Sequence, residues 1–140
     1  MADEAVLMYE TGLPIPMTCA DCAGIEKGAW LILANPMTVT THAANDEAIC
    51  AGVAAAEKIA NDGQTTIPVY RQGIFKAAGS AASSTGAVLA LSGTAQRLKT
   101  SDTSCLQSKG AAISLEDCGG AGETFLVELK PGIGGAGGLS

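Results

Sequence analysis

The stretch Val53-Ala54-Ala55-Ala56-Glu57-Lys58-Ile59-Ala60 decides how this chain is read. By propensity alone it is a helix, since Ala, Glu and Lys lose little on entering one. A second stretch argues otherwise. Ala111-Ala112-Ile113-Ser114-Leu115-Glu116-Asp117 holds the matching place in the later half and runs into Cys118-Gly119-Gly120-Ala121-Gly122. Glycines that dense destabilise a helix and mark a turn. Two copies of one unit share a backbone path, so both stretches are read as a strand entering a turn.

The match extends outward. Gly28-Ala29-Trp30-Leu31-Ile32-Leu33 aligns with Gly86-Ala87-Val88-Leu89-Ala90-Leu91, Gly52 with Gly110, and Gly63 to Gly73 with Gly122 to Gly132. Three blocks in one order at nearly constant spacing point to a duplication, with units of about 25–73 and 84–132. Each unit reads as strand, long loop, strand, turn, strand. Thr65, Ile67 and Val69 alternate with Thr66, Pro68 and Tyr70, and Phe125, Val127 and Leu129 behave likewise. Pro68 lacks an N–H, which places its strand at an edge or a bulge. Ile74-Phe75-Lys76-Ala77 reads as one more strand between the units.

The expected fold is all-β: a small β-sandwich or barrel-like domain over residues 18–131, built from two similar strand units. An extended N-terminal arm at 1–17 and a flexible Gly-rich tail at 132–140 flank it. In the arm, Pro14 and Pro16 hold the chain extended. Its apolar residues have no place in either unit, so Leu13, Pro14, Ile15, Pro16 and Met17 are expected to contact a partner or a neighbouring subunit.

Composition narrows the functions. A chain of 140 residues fits one domain, and 47% hydrophobic with only 4% aromatic residues implies a core of Ala, Val, Leu and Ile. The net charge of −6, with 8 scattered basic residues, argues against nucleic acid as a partner. No run of ~20 apolar residues suggests a membrane span. The start Met-Ala-Asp-Glu is acidic where a secretory signal is basic, so cytoplasmic synthesis and reduced thiols are expected for the five cysteines.

Cys19-Ala20-Asp21-Cys22 is the strongest chemical candidate, because two thiols at that spacing reach one metal or cycle redox. The remaining candidates Cys50, Cys105, Cys118 and His42 stand at no ligand spacing, so incidental thiols are expected and no metal or cofactor. A small Cys-dependent metal-binding module is the alternative. His42, near Asp46 and Glu47, offers half of an acid–base pair, but a solvated loop is the expectation. The cluster Ser80 to Thr85 has no assignable base, and Glu116 and Asp117 precede a glycine turn, which reads as solvated. With no Gly-x-Ser-x-Gly elbow and no phosphate-binding loop, the chain is not expected to be an enzyme.

The order Gly-led strand, Cys50-Ala51-Gly52-Val53-Ala54, Gly63-Gln64-Thr65, Gly73-Ile74-Phe75-Lys76-Ala77, Thr85-Gly86-Ala87-Val88 and Gly110 to Asp117 resembles the capsid decoration (cement) proteins of tailed bacteriophages, over about residues 25–131. The cysteines and the Pro-containing arm depart from that pattern. The resemblance implies a β-rich virion protein without catalytic residues, placed on the outer surface of an icosahedral capsid. It also implies binding to the major capsid protein, often as a homotrimer, and reinforcement of the contacts between capsid subunits. Another virion component, such as a tail or head-fibre protein, is the nearest rival.

Overall fold

The structure is a computed structural model that describes residues 5–43, 48–100 and 110–131; the expected tail at 132–140 lies outside them. The fold is all-β, as the sequence implied. Among the described residues eleven strands follow in order: β1 (Val6–Tyr9), β2 (Ile15–Thr18), β3 (Trp30–Asn35), β4 (Thr38–Thr41), β5 (Cys50–Ala54), β6 (Thr66–Tyr70), β7 (Ile74–Ala78), β8 (Val88–Leu91), β9 (Leu98–Thr100), β10 (Gly110–Ser114) and β11 (Thr124–Leu129). Five of them close a barrel in the order β2-β4-β3-β5-β6. The other six form a sheet in the order β1-β7-β11-β10-β8-β9.

The pairing registers of barrel and sheet correspond. Trp30↔Val53 and Leu31↔Gly52 in the barrel have Val88↔Ile113 and Leu89↔Ala112 as their counterparts in the sheet. Met17↔Ile67 corresponds to Ala77↔Phe125, and Leu33↔Val39 to Leu91↔Leu98. Isolated bridges repeat too, Ile25↔Lys58 in one half and Ser83↔Cys118 in the other. Gly28 and Gly86, matched in the sequence, turn with φ of 87° and 86°, a conformation that L side chains rarely adopt. These ladders place Gly52 opposite Leu31 just as Ala112 lies opposite Leu89, so the sequence match of Gly52 with Gly110 slips by one strand pleat.

β5 takes only Val53 and Ala54 of the helical-looking stretch, the rest of which turns away from the strand, and β5 is buried on both faces. All five of its residues are buried. Ala51 and Ala54 join the barrel core with Leu31, Val39, Ile67 and Val69, whereas Cys50 and Val53 join the core of the sheet. Strict alternation cannot put Ala51 and Ala54 on one face. The register irregularity facing Gly52 resets the phase. A strand packed on both sides shows no polar alternation, which leaves only small residues to read.

Two sequence expectations change. The arm is not separate from the fold along its whole length: Ile15, Pro16 and Met17 lie in β2, which pairs with β6 and, through Thr18↔Thr38, with β4. β6 is therefore interior to a closed barrel rather than an edge strand. It tolerates Pro68 because Pro16↔Pro68 is a non-hydrogen-bonded pair of the β2–β6 ladder, in which neither residue is asked for an N–H across the pair. The Pro68 carbonyl still accepts the Ala55 N–H at 2.9 Å.

The aromatic residues fix where the larger core sits. Phe75 and Phe125 are buried in the sheet's core, and Trp30 projects from the barrel into the same core at 0% exposure. The barrel core has no aromatic residue.

Candidate functional site

The loop carrying Cys19-Ala20-Asp21-Cys22 follows β2 and folds around the ammonium group of Lys58. Lys58 is buried at 3% exposure and donates to the carbonyls of Asp21 at 2.8 Å, Ile59 at 3.2 Å and Ala23 at 3.4 Å. Asp62 Oδ1 at 3.2 Å and Asp21 Oδ1 at 3.5 Å supply charge. Burial pulls the Lys58 pKa down, but the Asp62 bond and the two carboxylate charges outweigh it, and the net shift is upward. The backbone N–H of Gln64, followed by Lys58, holds Asp62 below the usual carboxylate range. A buried cation met by this many oxygens is satisfied, and it ties the 19–25 loop to the 58–64 loop.

The thiols stay apart in chemistry. Cys22 is exposed and Cys19 buried, with burial pushing the Cys19 thiol up in pKa. Burial pushes Cys50 up to about 12. Cys118 is buried in the other half, its Sγ 3.3 Å from the Gly120 carbonyl, and Cys105 lies outside the described residues. Among the described residues no three His, Cys, Asp or Glu side chains gather as a metal would require.

The solvated loop expected for His42 is overturned. The ring is buried at 1% exposure between the two halves of the molecule. Its Nδ1 accepts the Gln96 backbone N–H at 3.0 Å, so Nε2 is the donor to the Ser92 carbonyl at 2.9 Å. The Gln96 side chain completes the link: its Oε1 accepts the Trp30 N–H at 2.6 Å, and its Nε2 donates to the carbonyls of Trp30 at 3.1 Å and His42 at 2.7 Å. These partners lie far away in sequence, so no local motif shows them. Asp46 and Glu47, the proposed acid–base companions, lie outside the described residues.

Glu116 and Asp117 are exposed, as the sequence implied, yet both hold backbone donors. Asp117 Oδ1 accepts the Thr85 N–H at 2.8 Å and its hydroxyl at 2.9 Å, which lowers the Asp117 pKa. Glu116 Oε1 accepts the Leu126 N–H at 3.0 Å. In the Ser80 to Thr85 segment, Ser80 donates to the Leu98 carbonyl and no serine meets a base among the described contacts. Among the described residues of these segments, no nucleophile, base and oxyanion site come together.

The surface is more informative. Leu13 is 81% exposed and Ile15 38%, while Pro14 is half-buried, Pro16 exposed and Met17 buried in the barrel core. Val6, Met8 and Tyr9 of β1 are also exposed, so an apolar band follows the chain from β1 into β2. Glu10 between them accepts a hydrogen bond from the Tyr70 hydroxyl at 3.1 Å. Exposed apolar side chains gathered along one stretch of chain are the kind of surface that interaction sites use.

The comparisons carry this further. A family model of phage cement proteins matches residues 9–129, and the chain belongs to that family. It is accordingly a virion structural protein, of a family whose members bind the phage capsid. Its fold is similar to the head fibre gp8.5 N base of bacteriophage phi29, with a TM-score of 0.53 at 11% identity, covering 88% of this chain and 95% of that one. No curated protein matches the sequence.

Proposed function

We propose that this chain decorates the outer surface of an icosahedral capsid as a homotrimer, binding the major capsid protein and stabilising the contacts between its subunits without catalysing a reaction. The observation that carries this reading is the cement-family match over residues 9–129. The charge supports it, because −6 suits an outer face, whereas a surface against packaged DNA gains from Lys and Arg. Repetition on a lattice multiplies modest contacts. Leu13, Pro14, Ile15 and Pro16 supply contact area, and Met17 anchors them from inside the barrel.

Co-sedimentation of the full chain with cognate empty capsids tests this. Binding that saturates at one copy per equivalent lattice position is expected; a chain that stays in the supernatant overturns it. Truncating the arm would remove β1 and β2 and damage the barrel, so the contact is better tested by Leu13→Ser with Ile15→Ser. That variant is expected to melt almost unchanged and to bind about tenfold more weakly. Full-strength binding would remove the segment from the contact. The likeness to a head-fibre base favours a second reading, in which the domain carries a projecting fibre. Density extending beyond this fold in a capsid reconstruction would favour that reading; its absence at full occupancy would favour decoration.

A further inference from the structure

Two connections carry the chain between sheet and barrel. Glu10 to Pro14 leads from β1 in the sheet to β2 in the barrel, and Arg71 to Gly73 leads back from β6 to β7. They run side by side, because one flanking ladder ends at Ile15↔Val69 and the other begins at Tyr9↔Ile74. Between those pairs Gly12 passes close to Gln72. A Cβ on Gly12 would lie 2.5 Å from Gln72 Oε1 and 3.3 Å from Gln72 Cβ. Tyr70 reaches the same connection, its hydroxyl donating to Glu10 Oε2 at 3.1 Å. The Tyr70 ring is itself held, edge-on to the buried Phe75 with ring centres 5.7 Å apart.

Leu13 lies within this connection and is 81% exposed, so packing of its own side chain does not fix it. Ordering a free connection at the moment of binding costs conformational entropy, and a connection already held avoids that cost. The hold comes from both directions. Before Leu13, the Tyr70 hydroxyl fixes Glu10, and Gln72 closes against Gly12. After it, Pro14 restricts φ, Ile15 pairs with Val69, and Met17 is buried in the barrel core. Pairing and burial on the later side belong to the fold. The bond on the earlier side joins an exposed carboxylate to a hydroxyl, and an exposed bond of that kind adds little to stability.

We infer that Tyr70 is a positioning residue, which through Glu10 sets Leu13 for contact with the capsid; the inference rests on the decoration reading above. Co-sedimentation of full-length variants with cognate empty capsids tests it, alongside their melting temperatures. Tyr70→Phe keeps the ring against Phe75 and loses the bond to Glu10. It is expected to melt unchanged and to bind about fivefold more weakly. Glu10→Ala removes the same bond from its other end and is expected to match it. Glu10→Gln retains an accepting oxygen and is expected to bind like the unaltered chain. Coupling separates positioning from direct contact. In the chain carrying Leu13→Ser with Ile15→Ser, Tyr70→Phe is expected to change binding by less than about twofold, since little is left to position. Should Tyr70→Phe lower the melting temperature, Glu10→Ala takes its place in that cycle. Full binding by the variant used, or the same loss in both backgrounds, overturns the inference and leaves decoration standing. Full binding by the double-serine chain overturns it by removing Leu13 from the contact. An unaltered chain that stays in the supernatant overturns decoration itself.

Discussion

The barrel and the sheet use one strand plan with two outcomes, and the difference lies at a single seam. In the barrel, β2 has β6 on one side and meets β4 in parallel on the other, through Thr18↔Thr38. β7 is its counterpart and likewise pairs with β11. On its other side β7 receives β1, and β9 reaches only the end of the strand, where Gly79 bridges Leu98 and the Ser80 N–H reaches the Leu98 carbonyl at 2.8 Å. An added strand therefore holds open the seam that closes the first copy. The fillings differ accordingly. The closed copy packs Met17, Leu31, Val39, Ile67 and Val69 and has Lys58 at a loop position where the open copy has Cys118. The open copy takes both phenylalanines and borrows Trp30 from its neighbour.

If the open copy depends on that borrowed indole, Trp30→Ala should have the largest effect. Loss of about 3–5 kcal/mol is expected for a fully buried Trp, measured by chemical denaturation. The unaltered protein should unfold in one transition, since one core spans both halves. Two separate transitions in the unaltered protein would break the comparison, because they would mean that barrel and sheet do not share a core.

Gln96→Ala removes the side chain that bonds Trp30 N–H, Trp30 C=O and His42 C=O across the junction. The Trp30 carbonyl keeps the His42 N–H at 2.8 Å, so the expected cost is that of the bonds Gln96 itself makes, about 1–3 kcal/mol in the same denaturation assay. A loss below about 1 kcal/mol would show that the junction rests on apolar packing alone. Gly52→Ala sharpens the contrast at the seam's far side. Its Cβ would lie 2.1 Å from the Tyr70 carbonyl oxygen, at a φ of +142°. Ala112, its counterpart, already carries a Cβ in the open copy. A cost of about 2–3 kcal/mol is expected, and a neutral substitution would mean the closed copy is no tighter than the open one.

Much of this plan is legible in the sequence. The glycines at 28 and 86 mark the same turn in each copy, and the dense glycines after Asp117 make the Ala-rich stretch at Val53 a strand. The all-β class follows from that one comparison. The cross-links do not, because their partners meet only in the folded chain. His42 looks like a loop residue until Gln96 and Ser92 surround it, and nothing beside Lys58 in the sequence shows that the Cys19 to Ala23 loop closes over it. The arm is mixed: its prolines foretell extended backbone, but only the register with β6 shows that Pro16 faces Pro68 and that Met17 turns inward. The exposure of Tyr9 and Leu13 carries no motif either, since it is set by what packs on them in the folded chain.

Acid should separate the copies by the smallest margin. The Gln64 N–H and Lys58 lower the pKa of Asp62 in the closed copy, and the Thr85 N–H and hydroxyl lower that of Asp117 in the open one. A carboxylate whose folded pKa lies below its unfolded value of about 3.9 stabilises the fold above that value, and the contribution disappears as pH falls through the folded pKa. Melting temperature should therefore drop on acidification below about pH 4, and both Asp62→Asn and Asp117→Asn should flatten that drop. Their effects at neutral pH should differ. Asp62→Asn leaves the buried Lys58 with the partly exposed Asp21 as its remaining described carboxylate, whereas Asp117→Asn keeps an oxygen able to accept from Thr85. The closed copy is thus expected to lose more from its substitution than the open one. Equal losses at neutral pH would mean that Lys58 draws its stability from the surrounding carbonyls and not from charge.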